Sequence, residues 1–297
     1  MNPTPDQQRR RRLRQRIEQR SPLLIPGTGD ALGARLIERA GFEAVYVSGY
    51  CIEGTHAYPD VGLLGLSEVA RRAAEVVAAT NLPVLCDADT GYGGIVQVAR
   101  TVREFERAGV AAIQLEDQAL PKQCGSMAGK QLVALPEMVA KIRAAVDARV
   151  DPDLLIIGRS DSVATEGIAA AMARLDAYAE AGADLLMALG PYAVDDVPRL
   201  AAAARRPLVY LNSESFTMPM LPPAQLHEAG IDIVVFPLSL LLSATHAMQR
   251  TLEQIRSCGT TRPVCADTMV SWAQFNEIAG LPAIRELEGR YTDTRAR

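Results

Sequence analysis

The sequence predicts a (β/α)8 TIM barrel, a fold of the α/β class. Short apolar runs rich in β-branched residues alternate with longer helical patterns, and the runs number eight. The runs are apolar throughout, which is typical of parallel strands buried on both faces. Eight strand–helix units in about 240 residues is the count of this barrel. A doubly wound open sheet is the alternative, because strand counts taken from sequence err by one or two.

The strand candidates follow one another at regular intervals along the chain. They are LLIPG (23–27), AVYVSG (44–49), PVLCDAD (83–89), AAIQLED (111–117), LLIIGRSD (154–161), LLMALG (185–190), PLVYLN (207–212) and DIVVFPLS (232–239). Segments between them, such as VQVARTVREFERAG, repeat apolar residues at i, i+3, i+4 and i+7 and stop at Gly, as amphipathic helices do. We therefore expect residues 1–297 to form one barrel domain, with the barrel core at 21–240.

The two ends of the chain differ from the repeating units. Residues 1–20 form a basic helical pattern in which Leu13 and Ile17 lie four residues apart. A basic run can contact nucleic acid, but the chain is acidic overall and carries no nucleic-acid-binding motif. A helix that caps the barrel is therefore the preferred interpretation. Residues 241–297 continue the helical pattern and are expected to pack on the barrel or on another subunit.

Composition narrows the class of protein. The chain has 297 residues, 48% of them hydrophobic, and a net charge of −4, as an ordinary globular protein does. We find no secretory signal and no apolar run of membrane-spanning length, so no membrane partner is expected. Five cysteines without regular spacing favour reduced thiols, and a cytoplasmic location is expected. With three histidines outside any metal motif, acid–base chemistry must rest mostly on carboxylates, Cys, Tyr or Lys.

Polar side chains stand at the predicted strand ends, where a TIM barrel builds its active site. They are Ser48, Asp87, Asp89, Glu116, Asp117, Arg159, Asp161, Asn212 and Ser239. Asp87 and Asp89 lie in CDADTGYGG, point to the same face, and have no Lys, Arg or His within that stretch. Glu116 ends the next strand, and three converging acids repel unless a cation lies among them. Oxygen ligands favour Mg²⁺ or Mn²⁺ over zinc. The alternative is acids that face water or cap helices.

Residues 116–133, EDQALPKQCGSMAGKQLV, form a long glycine-containing segment that we name the Cys124 loop. Long loops on a rigid scaffold often act as lids. Lys122 and Lys130 flank Cys124, and a thiol flanked by cations has a lowered pKa and can exchange a proton. The alternative, an inert buried thiol, is preferred for the remaining cysteines, which are Cys51, Cys86, Cys258 and Cys265.

Several motifs together resemble the isocitrate lyase/phosphoenolpyruvate mutase superfamily, near its methylisocitrate and dimethylmalate lyase branch. They are PGTGDALGARLIERAGFEAVYVSG, PDVG, DADTGYG, LEDQALPKQCG, IGRSD, VVFPLS and CADTM, and they span nearly the whole chain. The resemblance implies an α/β barrel that binds Mg²⁺ and a small carboxylic acid. It also implies a homotetramer, a dimer of dimers whose C-terminal helices are swapped between paired subunits.

The resemblance also implies residue roles. The metal would be held by Asp87 and Asp89, with support from Asp60 and Glu116. The substrate's α-carboxylate and oxygen would lie against Ser48, Gly49 and Tyr50, with Gly125 also in the binding site. The remaining roles are Tyr46 as base, Cys124 as acid, Arg159 as the group that neutralises enolate charge, and Asn212 as the residue that orients the substrate.

Departures from the family pattern bear on the substrate. Leu189 replaces a glutamate, and Leu242 and Trp272 replace arginines, while Tyr50 replaces a glycine and Ser126 a histidine. Two of the lost groups bind distal carboxylates of a tricarboxylate, and an unpaired carboxylate in a closed site costs several kcal/mol. Methylisocitrate is therefore a poor substrate candidate. A smaller or more apolar acid is preferred, with Leu189 and Leu242 at its far end.

The predicted function is Mg²⁺-dependent retro-aldol cleavage of a carbon–carbon bond in a small 2-hydroxy acid, through an enolate intermediate. One alternative is a 2-oxo-acid decarboxylase or hydrolase of the oxaloacetate type. Another is a phosphoenolpyruvate mutase or phosphonopyruvate hydrolase, whose members typically lack the cysteine. The alternative outside enzymes is a barrel that has lost catalysis and only binds a ligand.

Overall fold

The computed structural model describes residues 3–215 and 218–292. The chain forms two compact units, Met1–Leu241 and Leu242–Arg297. The segments predicted at 1–20 and 241–297 extend at residues 1–2 and 293–297 outside the described residues. Within the described ranges, we find no helix long and apolar enough to cross a membrane.

Eight parallel strands form one sheet in the order β6-β5-β4-β3-β2-β1-β8-β7. The strands are β1 (Leu23–Thr28), β2 (Val45–Val47), β3 (Val84–Asp87), β4 (Ala112–Glu116), β5 (Leu155–Ser160), β6 (Leu185–Ala188), β7 (Val209–Leu211) and β8 (Ile233–Phe236). Leu23 of β1 pairs with Ile233 of β8. A parallel bridge between Leu186 and Leu208 joins β6 to the chain just before β7. The predicted TIM barrel is confirmed, and the open-sheet alternative is wrong because neighbouring strands follow chain order around the ring.

Helices precede, separate and follow the strands along the chain. They are α1 (Pro5–Glu18), α2 (Ala31–Arg39), α3 (Gly49–Thr55), α4 (Leu66–Ala79), α5 (Ile95–Arg107), α6 (Leu135–Ala148), α7 (Val163–Glu166), α8 (Ile168–Glu180), α9 (Asp196–Ala203), α10 (Pro223–Glu228), α11 (Ser239–Cys258), α12 (Cys265–Thr268), α13 (Trp272–Ile278) and α14 (Leu281–Thr292). The second unit contains α12, α13, α14 and most of α11.

The core explains why the strands are apolar at every position. In β5, Leu155 and Ile157 belong to the cluster that fills the barrel. Ile156 between them belongs to the cluster shared with the surrounding helices, where Tyr178 of α8 is also buried. Successive strand residues point to opposite faces, so both sets must be apolar when both faces are covered. A barrel of this kind holds its site residues on rigid strand ends.

Helix α1 lies across the start of several strands. Leu13 is buried in the cluster that fills the barrel, with Leu23 and Leu155, which begin β1 and β5. Arg10 is also buried, donating from Nε to the Val110 carbonyl at 2.9 Å and from Nη1 to Asp151 at 3.0 Å. This basic helix is therefore a cap on the amino-terminal end of the barrel.

Candidate active site

Three acids meet at the carboxyl ends of β3 and β4. Asp87 is the last residue of β3, Glu116 is the last residue of β4, and these strands pair directly. Asp89 lies just beyond β3 with φ 48°, and its backbone N–H donates to Asp87 Oδ1 at 3.1 Å. All three side chains are buried. The structure thus brings together the acids that the sequence predicted to converge.

Two basic side chains supply counter-charge to these acids. Lys122 of the Cys124 loop places Nζ 2.7 Å from Asp89 Oδ1 and also pairs with Asp60. Arg159 near the end of β5 places Nη1 2.9 Å from Glu116 Oε2 and 3.8 Å from Asp87 Oδ2. The acids therefore have counter-charge, although the stretch CDADTGYGG contains no basic residue. The cations come from residues distant in sequence, which the nine-residue stretch around the acids could not reveal.

Lys122 and Arg159 do not fully neutralise the charge of the buried acids. Burial, offset only in part by Arg159, holds the pKa of Glu116 well above its usual range. Burial also raises the pKa of Asp89 to about 6, against the lowering effect of Lys122. Among the described residues, Glu116 Oε1 is one of the buried polar atoms without a hydrogen-bond partner. The site therefore contains carboxylates that are costly to keep ionised.

The residues fit a hard divalent cation. The donor set is carboxylate oxygen alone, which suits Mg²⁺ or Mn²⁺. Lys122 Nζ already stands as a positive charge between Asp60 and Asp89. As the side chains of residues 3–215 and 218–292 stand, no three acid, Cys or His groups are gathered closely enough to hold an ion. These carboxylates would therefore have to draw closer together to hold a metal ion.

The start of α3 lies directly beside the acids. Ser48 is the N-cap residue of α3, and its hydroxyl accepts from the Cys51 backbone N–H at 3.4 Å. A Cβ on Gly49 would lie 3.3 Å from Asp89 Oδ1 and 3.4 Å from Asp87 Oδ2. Glycine therefore lets the backbone approach the carboxylates. The predicted role of Ser48 and Gly49 in binding the α-carboxylate stays a prediction.

A small cavity of about 50 Å³ lies among these groups. Its walls are Tyr46, Ser48, Tyr50, Asp60, Asp87, Cys124, Gly125, Ser126, Arg159, Leu189, Leu211, Ser213, Ser215, Met218, Pro237 and Leu238. That volume holds a few water molecules rather than an organic acid. An organic acid therefore lies wholly within the cavity only if side chains or the Cys124 loop move.

Cys124 faces the cavity with its thiol protonated. Burial, together with the nearby Asp60 carboxylate, raises the pKa of the Cys124 thiol. The predicted lowering of this pKa is wrong, because the flanking lysines pair elsewhere. Lys122 pairs with Asp60 and Asp89, while Lys130 donates to the Gly125 carbonyl and lies 3.5 Å from Asp161. A neutral thiol can give a proton but cannot easily take one.

Two predicted site residues have other contacts in this conformation. Tyr46 lines the cavity, but its hydroxyl donates to Gln114 Oε1 at 3.0 Å. Burial, followed by the Asp87 charge, raises the pKa of Tyr46, so its phenol is protonated. Asn212 does not line the cavity. Its amide donates to the Leu221 carbonyl at 2.9 Å and accepts from the Leu221 N–H at 3.1 Å, so it fixes the turn after β7.

The departures from the family pattern fall in different places. Leu189, just after β6, is buried and lines the cavity. Ser126 also lines it and donates to Ser215 Oγ at 2.8 Å. Leu242 and Trp272 belong to the second unit, where they are 40% and 78% exposed, and their predicted roles stay predictions.

Gln118 and Asp161 have no predicted role, although Gln118 belongs to the EDQ motif and Asp161 to the RSD motif. Asp161 is fully buried and forms a two-point ion pair with Arg159, Nε to Oδ1 at 2.7 Å and Nη2 to Oδ2 at 3.0 Å. Gln118 donates to Asp161 Oδ2 at 2.7 Å. The signal in the sequence was an acid two residues after the arginine on one strand, which places both on one face.

The fold and the site together define a class: a (β/α)8 barrel with an acid cluster after β3 and β4 and a thiol on the following loop. The model of the phosphoenolpyruvate phosphomutase family matches residues 13–256. The chain therefore belongs to the phosphoenolpyruvate mutase/isocitrate lyase superfamily, and the predicted resemblance is confirmed.

Curated relatives and solved structures cover nearly the whole chain. The 2,3-dimethylmalate lyase of Eubacterium barkeri is 42% identical over 285 residues, 96% of this chain and 98% of its own. The 2-methylisocitrate lyase of Aeropyrum pernix is 40% identical over 268 residues, 90% of this chain and 86% of its own. A crystal structure of 2,3-dimethylmalate lyase has a TM-score of 0.89 at 32% identity, covering 98% of this chain and 96% of that one. A phosphonopyruvate hydrolase complex with oxalate and Mg²⁺ has a TM-score of 0.88 at 28% identity, covering 96% and 99%.

Proposed function

We propose that this enzyme is a Mg²⁺-dependent carbon–carbon lyase that cleaves a small 2-hydroxy acid by retro-aldol chemistry and does not use methylisocitrate. One observation carries the proposal: a protonated thiol, Cys124, lines the same small cavity as Arg159 and Asp87. Cleavage between two carbons leaves a carbanion that must take up a proton. A half-buried thiol with a raised pKa is suited to donate it.

The α-end of the substrate would bind beside the acids. Asp87, Asp89 and Glu116 would hold Mg²⁺, with Asp60 beside them. A solved phosphonopyruvate hydrolase of the superfamily is a complex with oxalate and Mg²⁺, which supports a Mg²⁺ requirement. When bound, the cation supplies a Lewis acid for the C2 oxygen and a positive charge that favours the Tyr46 phenolate. The start of α3 would receive the α-carboxylate through its backbone N–H groups and the Ser48 hydroxyl.

Residues of this chain then accept and donate the protons that the reaction moves. Tyr46 removes the C2 hydroxyl proton, the C2 oxygen forms a carbonyl, and the C2–C3 bond breaks with its electron pair on C3. Arg159, whose guanidinium is buried and lines the cavity, stabilises the enolate form of the departing carboxylic acid. Cys124 donates its thiol proton to C3. The products are a 2-oxo acid and a carboxylic acid with a new C–H bond.

The distal part of the cavity favours alkyl groups. Leu189, Leu211, Met218 and Leu238 are buried and line it. Each buried methylene stabilises binding by about 0.8 kcal/mol, whereas an unpaired buried carboxylate costs several kcal/mol. A dialkyl malate, as in the named substrate of the Eubacterium barkeri relative, is therefore preferred over methylisocitrate.

A second candidate function, hydrolysis or decarboxylation of a small 2-oxo diacid, is favoured by Leu189, which lines the cavity where the family pattern has a glutamate. It differs from the lyase in not needing the thiol. The Cys124→Ser variant therefore discriminates the two, since a hydrolase should retain most of its turnover.

We also infer that the chain assembles as the predicted homotetramer of helix-swapped dimers. The second unit exposes large apolar side chains, including Met248, Leu252, Phe275 and Ile284, each at least 46% exposed. Exposed apolar surface on this scale marks an interaction site. Light scattering on purified protein should give four times the mass of 31.9 kDa, and a monomer at micromolar concentration would contradict the inference.

The function is tested by a screen of 2-hydroxy and 2-oxo acids with Mg²⁺, following release of 2-oxo acid and of CO₂. We expect 2-oxo acid from 2,3-dialkyl malates and none from methylisocitrate. Affinity in the series from malate to 2-alkyl and 2,3-dialkyl malates should rise with alkyl size until the cavity is filled. Methylisocitrate as the best substrate would show that our interpretation of Leu189 is wrong.

A further inference from the structure

We propose that Asp161 is a positioning residue that couples the orientation of Arg159 to the docking of the Cys124 loop. The proposal rests on the proposed function for the role of Arg159 and Cys124. Independently of the reaction, a single buried carboxylate contacts the arginine and both ends of the loop.

Asp161 orients Arg159 by geometry. Its two oxygens take Arg159 Nε at 2.7 Å and Nη2 at 3.0 Å, which fixes the plane of the guanidinium. Nη1 is left to face Glu116 at 2.9 Å. Asp161 is itself held, because its backbone N–H donates to the buried Asp117 carboxylate at 2.9 Å.

The same carboxylate receives the start of the Cys124 loop. Gln118 is 1% exposed, and its Nε2 donates to Asp161 Oδ2 at 2.7 Å and to the Gln123 carbonyl at 2.9 Å. Gln118 Oε1 in turn accepts from the Gln123 N–H at 3.0 Å. One side chain therefore joins Asp161 to the residue that immediately precedes Cys124.

The end of the loop reaches the same oxygen. Lys130 is buried, with Nζ 3.5 Å from Asp161 Oδ2 and donating to the Gly125 carbonyl. Gly125 lies so close that a Cβ there would be 2.4 Å from Arg159 Nη2 and 3.2 Å from Asp161 Oδ2. Asp161 Oδ2 is thus the point at which the loop and the arginine meet.

A simple structural ion pair would not need the loop. If the carboxylate only balanced Arg159, its second oxygen would be satisfied by the guanidinium alone. Instead Gln118 and Lys130, from the two sides of Cys124, converge on it, and burial makes each of these contacts to a charged group costly to lose. Loss of the Asp161 carboxylate charge should therefore release both the Cys124 loop and the Arg159 guanidinium from their positions.

The experiment compares Asp161→Asn, Gln118→Leu and Lys130→Met with the wild type, using the full chain without substrate. The readout is the alkylation rate of Cys124 by iodoacetamide, measured by peptide mass, with the exposed Cys258 as reference in the same molecule. We expect each variant to raise the Cys124 rate at least about 5-fold relative to Cys258. With substrate, Asp161→Asn should lower kcat about 10²-fold, the scale of misplacing a catalytic group by 1 Å.

The outcomes are distinct. An unchanged Cys124 rate in Asp161→Asn, with kcat reduced, would show that Asp161 serves Arg159 alone and would overturn the coupling. Unchanged rates in Gln118→Leu and Lys130→Met would overturn it as well, even if Asp161→Asn did not fold. Should the wild type cleave none of the acids tested, the proposed function fails, while the alkylation comparison still decides the coupling.

Discussion

Gly125→Ala should disable the site without unfolding the protein. Gly125 does not have a positive φ, so alanine introduces no backbone strain there and acts only through its methyl group. That Cβ would lie 2.0 Å from Leu189 Cδ2 and 2.4 Å from Arg159 Nη2. Since non-bonded carbons rest about 3.5–4.0 Å apart, the loop or the ends of the Leu189 and Arg159 side chains must move by about 1.5 Å.

The expected cost follows from that displacement. Overpacking costs about 1–3 kcal/mol, and the loop can escape it by leaving its docked position, so the barrel should keep its thermal stability. A misplacement of about 1 Å from the reacting geometry costs about 10²-fold in rate. We therefore expect kcat to fall about 10²-fold while the midpoint of thermal unfolding changes little.

The assay is steady-state turnover of the best acid from the screen at saturating Mg²⁺, with circular dichroism to check unfolding. Gly65→Ala is the matched control, because a Cβ there meets only Glu68 Oε2, at an ordinary 3.7 Å. The control should keep its turnover. Full turnover in Gly125→Ala would show that the loop does not pack on Arg159 in the reacting enzyme.

Three further predictions concern the metal, the acid and the fold. Asp87→Ala should lower kcat at least about 10²-fold, and excess EDTA should abolish turnover until Mg²⁺ or Mn²⁺ is restored; full activity in EDTA would end the metal proposal. Cys124→Ser should fold normally but lose about 10²–10⁴-fold in kcat, and wild-type turnover would favour the hydrolase instead. Asp117→Ala should lower the free energy of unfolding in urea by about 3 kcal/mol, because it strands Ser160, Tyr178 and Arg174 around a buried gap. The control Asp176→Ala, at a partly exposed position of α8, should change it by less than about 0.5 kcal/mol.

The barrel could be predicted from the sequence because the pattern of hydrophobic residues shows directly which segments are buried. Eight continuous apolar runs gave eight strands, and errors were confined to their ends. The run predicted at 44–49 is a strand only at Val45–Val47, since Ser48 caps α3. The run at 232–239 ends at Phe236, because Pro237 has no N–H to continue the ladder and α11 begins at Ser239.

The grouping of site residues was predictable from strand order where the residues lie at strand ends. Asp60, Cys124 and Gly125 lie on loops and were assigned to the site by their motifs, and all three line the cavity. Strand ends converge by topology, so Asp87, Glu116 and Arg159 could be grouped from sequence. Lys122 could not, since nothing local shows that it reaches Asp89. The predicted lowering of the Cys124 pKa was wrong for the same reason, because that pKa depends on which group each flanking lysine pairs with.

The balance of charge around the acids bears on the order in which ligands bind. Five carboxylates, those of Asp60, Asp87, Asp89, Glu116 and Asp161, face three cations, those of Lys122, Lys130 and Arg159. Two negative charges remain when all are ionised, and a diacid substrate brings two more into a site of low dielectric. We therefore expect the diacid to bind poorly before a divalent cation has bound. Because linkage is reciprocal, the acid and the cation should raise each other's affinity by the same factor.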